Sequence, residues 1–192
     1  MSSHGHGAGH SSEGENKYIA IFISILALFL AIAETMAKSA QTNSITYNVE
    51  ASNLWAFFQA KSIRRTNVET AADAMDIDIK LAKDPATKQL LEKRVADWRT
   101  AAARYRSEPE TREGSNELAG RAKEAEKKRD LYAEKYHHFE VASAAFQIGI
   151  VLASVFLITH VVYTLWGAAL LAGIGILFTL IGLLFPSAIH LF

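Results

Sequence analysis

The chain has 192 residues, half of them hydrophobic, with twenty Lys and Arg, twenty Asp and Glu and a formal net charge of zero. Balanced charge lacks the basic excess that nucleic-acid binding needs, and the absence of cysteine excludes disulfides, thiolate metal sites and a thiol nucleophile. The length allows one membrane domain and one small polar domain; the apolar residues gather in Tyr18–Ala37 and Val141–Phe185, a pattern of membrane spans rather than of a soluble core.

Residues 1–17 read as a Gly/Ser/His-rich tail. Met1–Asn16 holds no apolar residue larger than Met1, too little to offset ordering entropy, so disorder is expected. His4, His6 and His10 could hold a divalent metal weakly, but no further ligand spacing completes a site. Residues 18–37 are the first expected transmembrane helix. The tail before it lacks a basic cluster, and the run is longer than the roughly 7–15 residues of a signal-peptide core, so retention is expected, although small residues follow at Ala31, Ala33 and Ala37. Glu34 lies about a turn from the polar end. There it snorkels toward headgroups near Lys38; deeper, it would be an ion or proton site.

Residues 38–140 are expected to form a cytoplasmic helical domain. No Pro or Gly occurs between Gly14 and Pro85, so the first helix should continue unbroken out of the membrane. Ile45, Val49, Ser52, Ala56, Gln59 and Ile63 recur at alternating spacings of four and three, a coiled-coil seam. Tyr47, Leu54, Trp55 and Phe58 make a second stripe, and the combined face is too wide for one partner. Asp84-Pro85 marks a helix restart. The helix that follows, Pro85–Tyr105, aligns Leu91, Val95, Trp98, Ala102 and Tyr105, and is expected to pack on the helix carrying Leu54 and Phe58. The stretch Ser107–Glu117 is a turn or loop, with Ser107 and Glu110 as a candidate capping box. A third helix begins near Ser115 with Leu118, Ala122, Ala125, Tyr132, Tyr136 and Phe139 on one face. Its charge run, Lys123–Asp130, reads as a solvated face with i,i+4 pairs.

Residues 141–165 and 167–185 are the second and third expected transmembrane helices, joined by a short uncharged turn around Tyr163–Gly167; residues 186–192 are a C-terminal tail. Ala142, Ala145, Gly149 and Ala153 in the second, and Ala169, Gly173 and Gly175 in the third, are spaced for close helix approach in lipid. His137 and His138 are adjacent on a helix and so diverge; an interfacial role outweighs a ligand role. His160 lies within the second span as an isolated candidate proton-relay residue.

The basic residues nearest the second span are Arg121, Lys123, Lys127, Lys128, Arg129 and Lys135, while the turn and C-terminus beyond carry none. The positive-inside rule then puts the helical domain and C-terminus in the cytoplasm and the N-terminus outside.

The segment Ala37–Glu69, with Asn53, Trp55, Gln59, Ala60 and Lys61 as a hallmark cluster, resembles the domain of unknown function 4337 (DUF4337) family of bacterial membrane proteins. The resemblance covers nearly the whole chain except the tail. It implies a bacterial inner-membrane protein; it implies no activity, and no catalytic residue carries over. The residues themselves show no phosphate-binding glycine loop, no HExxH and no GxSxG.

The expected fold is thus an all-α integral membrane protein: three transmembrane helices with a cytoplasmic, coiled-coil-like helical stalk. The expected function is a structural or interaction module, a homo-oligomer whose partners are the lipid bilayer and copies of itself, with no cofactor, no metal, no nucleic acid and no enzymatic activity. Its candidate interaction residues are Asn53, Trp55, Gln59, Lys61, Val49, Ala56 and Ile63, and its candidate intramembrane polar residues Glu34 and His160. The alternatives are a channel or transport accessory subunit and, last, a membrane-bound enzyme.

Overall fold

The computed structural model describes residues 10–188. Among the described residues there are four α-helices, α1 (His10–Leu81), α2 (Pro85–Arg106), α3 (Ser115–Thr159) and α4 (Val162–Leu184), a 3-10 turn (Pro186–Ala188), and no strand. Helix α1 runs 72 residues without interruption, as the lack of Pro and Gly after Gly14 dictates. It already begins at His10, which corrects the disordered tail expected through residue 17. Once a long helix exists, each further residue faces only the small propagation cost and not nucleation. His4 and His6, like residues 189–192 of the expected C-terminal tail, lie outside the described residues.

At the start of α2, Asp84 is the N-cap and Pro85 takes the first helical position. The Asp84 carboxylate accepts from the Thr87 hydroxyl at 2.6 Å and from its N–H at 2.9 Å. These two bonds hold the carboxyl below its ordinary value, the hydroxyl first.

The chain divides into two compact units. One comprises Ile45–Arg129, taken from α1, α2 and the beginning of α3. Here α1 meets two partners in succession. Its Ala51 and Leu54, with Trp55 and Phe58 alongside, pack on Leu118, Ala122 and Ala125 of α3. Farther along α1, Asp76 pairs with Arg99 of α2. Helix α2 thus meets the helix that carries Leu54 and Phe58, as expected, but farther along it; the stretch with Leu54 and Phe58 themselves packs on α3. On α2, Val95 and Ala102 are buried and Leu91, Trp98 and Tyr105 half-buried, the face read from spacing. Positions 51, 54, 58, 61, 65, 68 and 72 of α1 are covered, an unbroken three–four alternation, with Trp55, Ser62 and Ala71 half-buried beside them.

The other unit takes the described residues up to Ser44 and from Asp130 onward. Leu26 and Ala33 of α1, Ala142 and Phe146 of α3, and Ala172 of α4 form one buried cluster. A second joins Ala37 and Ala40 to Phe139. Three helices here are long and apolar enough to cross a membrane. Their outward residues are apolar as well: Leu28 is 62 % exposed, Ile158 82 % and Leu170 67 %. A helix apolar on its outward side needs an apolar surrounding.

The α3–α4 connection differs from expectation. It is His160–Val161, not Tyr163–Gly167, so α3 ends at Thr159 and α4 begins at Val162. His160 stops α3 by adopting a left-handed backbone (φ 53°), and the Val161 carbonyl accepts both the N–H and the hydroxyl of Thr164. Gly167 falls inside α4 instead, where a Cβ would stand 3.1 Å from Leu152 Cδ1. The small face of α4 is Ala168, Ala172, Gly175 and Gly182. Ala169 and Gly173, expected on it, are exposed. On α3 the expected face, Ala142, Ala145, Gly149 and Ala153, is buried throughout.

Gly175 allows the closest approach: a Cβ there would lie 2.6 Å from Cε1 of the fully buried Phe146. Gly175→Ala is expected to cost about 1–3 kcal/mol through overpacking, read as a lower melting temperature in detergent. Gly173→Ala, with open space around it, should leave stability unchanged or slightly raise it, because Ala is the better helix former. Equal effects at the two positions would contradict the packing.

Candidate functional site

Lys61 is a charged residue in a mostly apolar seam. It occupies a covered position of α1 between Phe58 and Arg65, and only 8 % of it is exposed. Its stem lies in the seam, and its ammonium emerges at the connection between α2 and α3. There Nζ stands 3.9 Å from Glu108 Oε2 and 3.8 Å from Glu113 Oε2. These separations exceed a hydrogen bond, so the attraction is Coulombic. The rings of Phe57 and Tyr105 lie 5.4 and 5.7 Å from the same nitrogen, within cation–π reach.

The connection itself is tightly bonded. Glu108 also pairs with Arg104, whose Nη2 lies 2.6 Å from Oε1. Arg104, and more weakly Lys61, hold the Glu108 carboxyl below its ordinary value. Glu117 of α3 reaches back to accept from the Ser107 hydroxyl at 2.6 Å and from the Glu108 N–H at 3.1 Å. Those bonds, the hydroxyl first, lower its pKa too. Ser107 therefore caps with Glu117, not with Glu110 as the spacing suggested. The Ser115 hydroxyl donates to the Tyr105 carbonyl. Gly114 closes the turn, and a Cβ there would come within 2.5 Å of the Glu108 nitrogen.

The hallmark residues separate. Trp55 is half-buried, and its indole N–H donates to Glu126 Oε1 of α3 at 2.9 Å. Asn53 and Gln59 are exposed. So are Val49, Ala56 and Ile63, together with Ile45. Lys61 and Trp55 thus serve contacts within the chain, and the first stripe of α1 is left uncovered by it.

In the apolar unit, Glu34 is exposed and accepts from Gln147 Nε2 of α3 at 3.1 Å. Its partner is this amide, although Lys38 lines the same shallow groove. His160 is exposed in the α3–α4 connection, its ring edge-on to Phe156 at 5.9 Å. Glu34 and His160 are not brought together.

His138 was missed as a structural residue. It is 1 % exposed, and its Nε2 lies 2.9 Å from the Pro186 carbonyl. A carbonyl only accepts, so Nε2 carries the proton, and His138 pins the end of α4 to α3. The partner lies 48 positions away, and no local spacing signals it. His137 diverges from it toward Glu140, 3.8 Å away. Among the described residues no group of three or more His, Cys, Asp or Glu side chains is placed to hold a metal ion.

These features define an all-helical protein with three helices long and apolar enough to cross a membrane, joined to a polar helical unit. The chain belongs to the family described as domain of unknown function (DUF4337), whose sequence model matches residues 15–185. Neither the curated proteins nor the solved structures compared with the chain include a match.

The Lys61 contacts predict a graded response. Lys61→Met keeps the stem contacts and removes the charge, and should lower stability by about 1 kcal/mol, since Glu108 retains Arg104. Lys61→Glu sets a third carboxylate against Glu108 and Glu113 and should cost several-fold more. Melting curves of the two variants in detergent compare them; equal losses would remove the electrostatic role.

Proposed function

We propose that the protein is a membrane-anchored helical scaffold that associates with copies of itself through α1. One observation carries the reading. Helix α1 bears two parallel seams, and the chain covers only one of them. The other leaves Ile45, Val49 and Ile63 each more than half exposed, with the small Ala56 between them. Isolated apolar residues on a surface are ordinary, but a stripe at heptad spacing is the form a helix presents to another helix. A second copy offers the same stripe, and closed symmetry satisfies it in both. The surrounding membrane is supported by the apolar outward faces of the three long helices. The basic residues preceding the second span support a cytoplasmic polar unit and an external N-terminus.

A pore-forming or transport-accessory assembly is the second reading. It is favoured by the Glu34–Gln147 pair, a polar contact on the surface of the apolar unit. In an oligomer such a pair would be expected to face other subunits or water rather than lipid. Among the described residues, no arrangement of nucleophile, base and oxyanion donors supports an enzyme.

The self-association reading is tested with a cysteine at Ala56, in a chain that has none of its own. Oxidation in native membranes should crosslink it between subunits, whereas a cysteine at the exposed Lys127 should stay uncrosslinked. A monomeric mass in mild detergent together with no Ala56 crosslink would refute the scaffold. The Lys127 thiol also reports orientation: an impermeant maleimide should label it only after lysis, and labelling in intact cells would invert the topology.

A further inference from the structure

At the polar end of the apolar unit, α1, α3 and α4 leave a groove of about 180 Å3 between them, lined by Met36, Ala40, Phe139, Leu183, Tyr132 and Lys135. That is below the roughly 300–1,000 Å3 of small-molecule pockets, room for a segment of a flexible chain lying along the groove rather than for a compact ligand. The groove is two-ended in chemistry. Met36, Ala40, Phe139 and Leu183 give it an apolar floor, next to the buried cluster of Ala37, Ala40 and Phe139. Gly182 lets that floor form: a Cβ there would lie 2.9 Å from Phe139 Cε1 and force the ring out of place. The rim carries hydrogen-bonding groups and a cation, namely the Ser39 hydroxyl and Lys135, whose Nζ lies 5.3 Å above the Tyr132 ring. Among the described residues no carboxylate pairs with Lys135, whereas Lys61 and Lys128 are each matched with glutamates.

We propose that this groove holds an anionic phospholipid, one acyl chain lying along the apolar floor and the phosphate meeting Lys135 and the Ser39 hydroxyl. The proposal rests on the membrane reading above, which brings this end of the three helices to headgroup depth. An apolar floor and a cation together match a ligand with a chain and a negative charge. A free phosphate would use the rim only, and a zwitterionic lipid would bring its own choline cation beside the ammonium together with its phosphate.

The test is native mass spectrometry of the full chain in mild detergent, supplied with equal amounts of phosphatidylglycerol and phosphatidylcholine of identical chains. The wild type should retain phosphatidylglycerol preferentially. Lys135→Gln should lower the ratio of the two retained lipids about fivefold, the effect of one cation facing an anionic surface, and Lys135→Arg should restore it. Leu183→Trp, which fills the floor, should reduce phosphatidylglycerol retention with Lys135 intact. Excess inorganic phosphate should leave the adduct in place; its displacement would overturn the lipid assignment. Equal retention of both lipids, or a ratio unchanged in Lys135→Gln, would overturn the anionic-lipid assignment, and retention unchanged in Leu183→Trp would overturn the groove; either leaves the membrane reading standing. A chain that keeps neither lipid and stays dispersed without detergent would overturn both.

Discussion

The constraint on which both units depend is the unbroken hydrogen-bond ladder of α1. A helix of 72 residues needs every backbone N–H beyond its first turn to find a carbonyl four residues back. A single internal proline would remove one such bond and clash with the turn before it. The stretch from Glu15 to Asp84 contains neither proline nor glycine. Within it, polar side chains that compete for the backbone are turned back onto their own helix: Ser24, Thr35, Thr42 and Thr66 each donate to the carbonyl four residues earlier. Within each unit, α1 is the surface on which the other helices pack. The helices α2 and α3 are separated by a connection, and α4 supplies alanine and glycine where it approaches closely.

The two units meet this surface by different physics. In the polar unit the covered stripe of α1 is small and apolar at Ala51, Leu54 and Ala72 and charged at Lys61. Water outside drives the apolar closure, and the ammonium has favourable surroundings only opposite Glu108 and Glu113. A slide of one turn would carry the ammonium away from both carboxylates. In the apolar unit no comparable contrast exists between inside and outside. Exposed Leu28, Leu170 and Leu177 are as apolar as buried Leu26. Contact there comes from shape, with Phe146 seated over Gly175 and Gly149 flanked by Leu26 and the Ala168 carbonyl.

Much of this was legible because local chemistry decided it. Asp84-Pro85 fixes the start of α2 whatever lies around it, and the absence of breakers fixes α1. The buried faces of α2 and of α3 in its apolar stretch followed from spacing alone. What spacing could not decide was which of two adjacent stripes on α1 the chain would use for itself. Both obey the same period, and only the side chains facing them, such as Leu118 and Ala122, break the tie. The α3–α4 connection lies before the short uncharged stretch Tyr163–Gly167, because the turn is made by a histidine in a conformation that glycine usually supplies. The role of His138 and the partners of Lys61, itself among the candidate residues, escaped for a related reason. Their roles come from a carbonyl 48 positions away and from carboxylates 47 and 52 positions away, and no periodicity connects such pairs.

The connection between α2 and α3 bears on how the protein can be engineered. Its composition, Ser-Glu-Pro-Glu-Thr-Arg-Glu-Gly, is that of a surface loop, the usual choice for an epitope or a fluorescent reporter. Here that choice would be a poor one. Any inserted residue would separate Ser107 and Glu108 from Glu117, move the two glutamates away from the Lys61 ammonium, and force open a turn that has no room for a methyl group at Gly114. The junction of Ala82 and Lys83 suits a graft better. It lies between two helix ends, Lys83 is exposed, and the cap that starts α2 is complete from Asp84 onward. The less conspicuous joint is the one that tolerates cargo.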